Sequence, residues 1–170
     1  MNTYVKKWLS EYYDVTLADI DDILKEETAT SYLLVWAIFE QDIFNGFMKK
    51  DKIKTVSQRF KKYYSSLNID MLAKKFYLRY QNSTNYKHLI HKDDNCYFKA
   101  IIAKPYPEIS PSEKLELMFF VVYRYRNNIF HGNKKVNAWK NYTEQIRDCI
   151  SFITQIIDLN KSKSIIKKIQ

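Results

Sequence analysis

The sequence predicts an all-α fold, a compact helical bundle of about five to seven helices. Three observations predict it. Only 2 Gly and 3 Pro occur among 170 residues, and a β-rich chain spends far more of both on its turns. Apolar side chains recur at spacings of three and four along most of the chain, which is the helical period. The hydrophobic fraction is 46%, with 28% charged and 16% aromatic residues, and at this length that supports one core without disulfide or metal staples. The expectation is a single domain over residues 1–170, closing in a basic tail at 160–170.

The elements follow in order. Tyr4, Val5, Trp8, Leu9 and Tyr12 give an amphipathic helix over Thr3 to Tyr13. Thr16 followed by Asp19 is a capping-box variant, and Leu17, Ile20, Ile23 and Leu24 then form one stripe. From Thr28 the chain turns richly apolar (Tyr32 to Phe39), and Ile43, Phe44 and Phe47 keep helical spacing. This predicts a central helix ending near Phe47, with Gly46 at its close. Residues 49–65 form a basic amphipathic stretch with Ile53, Val56, Phe60, Tyr63 and Tyr64 inward, and Leu72, Phe76 and Tyr80 mark a helix from Ile69 to Gln81. Residues 82–109 are polar and the least regular, long for a loop in a compact domain, so short helical turns or a function are expected there. Ser110-Pro111-Ser112-Glu113 is a helix start, with an N-cap serine, a first-turn proline and a glutamate three on. Leu115, Met118, Phe119, Val122, Tyr125 and Ile129 continue that helix, and Gly132 stands where a C-cap glycine would. A last helix is expected from about Val136 to Leu159, through Trp139, Tyr142, Ile146, Cys149, Ile150, Ile153 and Ile157.

Composition also excludes function classes. With two glycines there is no glycine-rich phosphate loop, so P-loop and dinucleotide fingerprints are absent. The net charge is 28 − 19 = +9, which favours a polyanionic partner, nucleic acid ahead of anionic lipid. Charge is segregated. Residues 11–27 carry seven acids and one base, and residues 49–62 carry seven bases and one acid. The basic run (Lys49, Lys50, Lys52, Lys54, Arg59, Lys61 and Lys62) is either a solvated helix face or the lining of a groove for an RNA backbone. Cys96 and Cys149 read as free thiols of a reducing compartment. Residues 1–10 hold no apolar signal core, and the apolar run Tyr32 to Phe39 is far short of the ~20 residues of a membrane span. A cytoplasmic protein with no membrane partner is expected.

Chemistry concentrates in Tyr123-Arg124-Tyr125-Arg126-Asn127-Asn128-Ile129-Phe130-His131-Gly132. At about 100° per residue, Asn127 and His131 fall about 40° apart on one face, Arg124 and His131 about 20°, and Arg126 and His131 about 140°. Arginine grips phosphate bidentately and keeps its charge. Histidine exchanges protons near neutral pH, and a helix carboxyl end favours its charged form. RNA supplies its own 2′-hydroxyl nucleophile, so its cleavage needs only proton transfer and charge stabilisation, with no metal or cofactor. The plainer alternative is a helix C-terminus whose Arg and His offset the macrodipole.

Arg126-Asn-Asn-Ile-Phe-His131-Gly resembles the signature of the HEPN superfamily: an arginine, four to six residues, then a histidine, often with a polar residue directly after the arginine. Asn127 fills that slot. Arg126 and Arg124 both satisfy the spacing, and Arg126 matches better because the Arg-Asn and His-Gly pairs occur together. Trp36-Ala-Ile-Phe-Glu40 resembles the earlier family helix that carries an acidic residue amid apolar ones. The resemblance implies a HEPN-like bundle and a homodimer whose two Arg/His motifs face one another in a composite active site. It implies metal-independent endoribonuclease activity, commonly in toxins and in phage-defence (abortive infection) effectors, with an antitoxin or another defence-system protein as partner. His131 would be the general acid/base, Arg126 would hold the scissile phosphate, Asn127 would orient one of them, and Arg124 and Glu40 would support. One toxin branch carries a modifiable tyrosine two positions after the histidine. Asn133 stands there in this chain, so that regulation is not implied. Some HEPN domains are inactive, which leaves a second expectation: a catalytically inactive helical dimer that binds a partner protein, nucleotide or nucleic acid.

Three further groups have two readings each. Glu40 lies among apolar residues and needs a partner, either a structural arginine or lysine or the arginines of the site. His88, His91, Asp94 and Cys96 offer one ligand pair where a structural zinc site shows two, so a solvated or substrate-contacting loop is the better reading. Tyr63, Tyr64, Tyr77 and Tyr80 stack bases or pack the core, and their helical spacing favours packing.

Overall fold

The computed structural model describes residues 3–25, 27–91, 95–130 and 140–166. Among them are nine α-helices and no strand, so the all-α class holds. They are α1 (Thr3–Tyr13), α2 (Leu17–Leu24), α3 (Glu27–Phe44), α4 (Lys50–Phe60), α5 (Asp70–Gln81), α6 (Ser83–Ile90), α7 (Cys96–Ile102), α8 (Pro111–Phe130) and α9 (Thr143–Lys163). The number exceeds the five to seven expected because the polar stretch 82–109 folds as two short helices. Each has an asparagine cap. Asn82 Oδ1 accepts from the amides of Thr84 and Asn85 at 3.0 Å, and Asn95 Oδ1 from Phe98 at 3.0 Å.

α8 is the axis of the bundle. Its start is the expected capping box: Glu113 Oε2 accepts from Ser110 N at 3.0 Å, and Ser110 Oγ accepts from Glu113 N at 3.3 Å. Beyond it Leu115, Leu117, Met118, Phe119, Val121 and Val122 are fully buried. No ordinary amphipathic helix buries so many directions at once, so neighbours must enclose it. They do: α4, α5, α6, α7 and α9 all pack on α8, and α3 lies along α9. Phe119 is the hub, with ring centroids of Phe39, Phe44, Phe60 and Phe152 between 5.1 and 6.3 Å away.

The edges depart from the expectations. α1 buries none of its side chains. Tyr4, Trp8 and Tyr12 are exposed, and the helix packs mainly on α2. α3 stops at Phe44, before Phe47. Asn45 takes a left-handed φ of 51° and Gly46 a φ of 119°, and the Gly46 amide returns to the Glu40 carbonyl at 3.1 Å. That φ is costly for any residue with a Cβ. The turn leaves Phe47 outside the helix at 75% exposure. α9 runs four residues past Leu159 into the expected tail, and Ile166 beyond it is buried. His131, Gly132, Asn133, Val136 and Trp139 lie outside the described residues, as do Asp94 and the end of the tail at 167–170. No helix among the described residues is long and apolar enough to cross a membrane.

Candidate active site

The last turns of α8 carry Arg124, Arg126 and Asn127. Their helix is held from one side by Tyr32 of α3, whose buried hydroxyl donates to the Val122 carbonyl at 2.7 Å. Burial drives the Tyr32 phenol well above its ordinary value, so it stays a donor.

The two arginines have different surroundings. Arg124 is 6% exposed. Its Nε donates to the Leu89 carbonyl at 3.0 Å and its Nη2 to the Ile90 carbonyl at 2.8 Å. Those carbonyls end α6, where the last four C=O groups lack helical partners and the dipole is negative. Arg124 therefore closes one helix against another. Asn128 joins it, with Nδ2 reaching the same Leu89 carbonyl at 3.4 Å.

Arg126 is half-buried. Its Nη1 donates to Asn127 Oδ1 at 3.1 Å, and its guanidinium carbon lies 5.9 Å from the centroid of the buried Trp36 ring. That distance is at the outer edge of cation–π range. The structure thus brings Arg126 and Asn127 together, sets Trp36 beneath them, and turns Arg124 away onto backbone. His131 lies outside the described residues.

Glu40 joins neither arginine. Its Oε1 accepts from the Met48 amide at 2.9 Å, across the turn that ends α3. The carboxylate thus stitches the α3–α4 connection, and the ion pair with an arginine or lysine that the sequence allowed is not formed among the described residues.

The basic residues stand along α4 and the 3-10 turn after it. Ile53, Val56 and Phe60 face the bundle, while Lys49, Lys50, Lys54, Arg59, Lys61 and Lys62 are exposed. Lys52 is half-buried and its Nζ reaches the Phe44 carbonyl at 3.3 Å. The tyrosines serve packing: Tyr80 is buried against Tyr125, Tyr64 bonds Asp70 at 2.7 Å, and Tyr77 bonds the Lys104 carbonyl at 2.9 Å. Tyr63 is half-buried under Lys62. His88 is exposed on α6 and His91 follows its end, and no metal-holding group of three His, Cys, Asp or Glu side chains occurs among the described residues.

Sequence reasoning missed the buried use of Arg124, the role of Asn128 and the alignment of Gln58, Ser112 and Glu116. Each depends on acceptors or neighbours far along the chain, and no local spacing announces them. No family model, curated protein or solved structure matches this chain.

Proposed function

We propose that this chain is a HEPN-like, metal-independent endoribonuclease, acting on RNA as a homodimer with a composite site, in the manner of a toxin or phage-defence effector. The reading is carried by one observation. Of the two arginines at motif spacing, Arg124 is committed to helix-end carbonyls, while half-buried Arg126 is braced by Asn127 and Trp36. A guanidinium held this way meets the developing charge of a phosphorane with little reorganisation. His131, five residues on, supplies the proton transfer, taking it from the 2′-hydroxyl or giving it to the 5′-oxygen. The 2′-oxygen then bonds to phosphorus as the 5′-oxygen leaves with the proton, so the step balances without an added reactant.

Supporting residues take their places in this reading. Asn127 orients Arg126, the exposed bases of α4 and its following turn attract the strand, and Arg124 fixes the helix that presents the site. Exposed Leu34 and Ile38, one turn apart on α3, are apolar surface of the kind a second copy covers.

The test is cleavage of single-stranded RNA in excess EDTA by the wild type, His131→Ala and Arg126→Ala, with helicity checked by circular dichroism. Loss of cutting in both folded variants supports the assignment. Cutting that survives His131→Ala removes it, and a folded wild type that binds RNA without cutting it turns the reading to the inactive dimer.

A further inference from the structure

A groove runs between α4 and α7, floored by the first turns of α8. It has one compartment of about 280 Å³ and an adjoining one of about 420 Å³, which share Lys54, Tyr97, Ile101 and Glu116. The second compartment lies within the roughly 300–1,000 Å³ of small-molecule sites and the first just below it. The base of the first compartment is apolar: Ile53, Phe98, Ile101 and Phe120 are buried, with the Phe98 and Phe120 rings stacked at 4.6 Å. Tyr97 stands exposed at the rim with Lys54 Nζ 5.9 Å from its ring centroid. Lys50 lines the same rim one helical turn away.

Two carboxylates line this compartment, Asp51 exposed beside Lys50 at the rim and Glu116 set deeper among the apolar side chains. Glu116 is half-buried, and burial raises its pKa. It is held in place by a relay. Gln58 Nε2 donates to Ser112 Oγ at 2.8 Å, and Ser112 Oγ donates to Glu116 Oε1 at 3.3 Å. Among the described residues no cation forms an ion pair with Glu116, whereas its neighbour Glu113 is paired with Lys104. An oriented carboxylate in apolar surroundings has acceptor capacity to spare.

The chemistry that satisfies all three features has a flat π-face for Tyr97 and the apolar walls, two adjacent N–H donors for the carboxylate, and an anion for Lys50 and Lys54. Guanine has such a pair of donors on its Watson–Crick edge, N1–H and the N2 amine. Adenine and cytosine offer one exocyclic amine beside a ring acceptor, and uracil offers one N–H between two carbonyls that repel a carboxylate. We propose that the groove between α4 and α7 binds a guanine nucleotide, with Glu116 accepting from N1–H and the N2 amine, Tyr97 covering the base and Lys50 and Lys54 taking the phosphate. Glu116 lies ten residues before Arg126 on α8, about 15 Å along the axis, so this is a separate site. It stands independently of RNA cleavage, because a mononucleotide has no internucleotide linkage to split.

Titration calorimetry on the full chain with GMP, IMP and AMP tests it. GMP is expected to bind, IMP to bind roughly tenfold more weakly for want of the N2 amine, and AMP weaker still. Glu116→Gln is expected to abolish the preference for GMP over AMP, and Ala100→Trp, at an exposed position on the groove wall, to block all three ligands while leaving the core untouched. Two 2′-O-methyl hexanucleotides, one with a single guanine and one with adenine in its place, distinguish the sources. Guanine-dependent binding of the hexamer tighter than GMP assigns an unpaired guanosine of an RNA strand, and tighter binding of GMP assigns the free nucleotide. Equal affinity for GMP and AMP, no binding by either source, or a Glu116→Gln variant that still discriminates overturns the proposal.

Discussion

Arg124 donates to the Ile90 carbonyl at 2.8 Å and so fastens the end of α6 to the last turns of α8. Two arginines two positions apart in sequence are thereby given different work, one buried on helix-end carbonyls and one half-buried over Trp36. Their substitutions should separate cleanly.

Arg124→Ala removes a buried cation and takes one donor from each of two helix-end carbonyls, at a cost of about 2–4 kcal/mol. Arg126→Ala costs less than about 1 kcal/mol, because the residue is half-buried at the periphery, and lowers RNA cleavage by roughly a hundredfold or more. Denaturant unfolding beside a cleavage assay checks both. Equal destabilisation by the two changes contradicts the division of labour.

Phe119 sits where α3, α4, α8 and α9 converge on its ring. Phe119→Ala should therefore cost about 3–5 kcal/mol, since four rigid neighbours cannot collapse into the space. A melting curve measures it, and a loss below about 1 kcal/mol means the hub is loosely packed.

The two thiols should differ sharply. Cys149 is fully buried, and burial pushes its thiol well above the ordinary value, whereas Cys96 is exposed at the start of α7. A disulfide reagent at pH 8 is expected to label Cys96 promptly and Cys149 only as the chain unfolds. Prompt double labelling of native protein contradicts that packing.

Glu116 makes a pH prediction. Burial raises its folded-state pKa above the unfolded value of 4.5, so the folded chain binds the proton more tightly than the unfolded one. Its contribution favours folding most below that unfolded value and fades as pH rises through the folded one. Burial disfavours the charged form, and Glu116→Gln should raise Tm at neutral pH. The difference should shrink as the pH falls toward 4.5. Thermal melts at several pH values check the sign, and a variant less stable at pH 7 than the parent refutes it.

What the sequence revealed follows from range. The start of α8 was readable because Ser110 and Glu113 cap each other within four residues. The class was readable because helical spacing repeats along the chain. α6 and α7 were not, since each is short and neither opens on a reciprocal cap such as Thr16 and Asp19 give the equally short α2. Arg124 could not be told from Arg126, because its acceptors lie more than thirty residues back, at the end of a helix that was itself unseen. Glu40 was expected to need a cation, yet it found a backbone amide eight residues ahead. Such a partner depends on the shape of a turn and has no signature in side-chain pattern.

Asn160 of α9 donates to the Asp42 carbonyl near the end of α3 at 3.2 Å, across 118 residues of chain, and its Oδ1 receives the Ile166 amide at 2.7 Å. The flank of α3 therefore has nothing to lie on until α9, more than a hundred residues further along the chain, has been made. Contacts so distant form late, and the segments waiting for them stay open to chaperones meanwhile. A chain without α9 leaves α3 and one side of α8 bare, and the bundle cannot close.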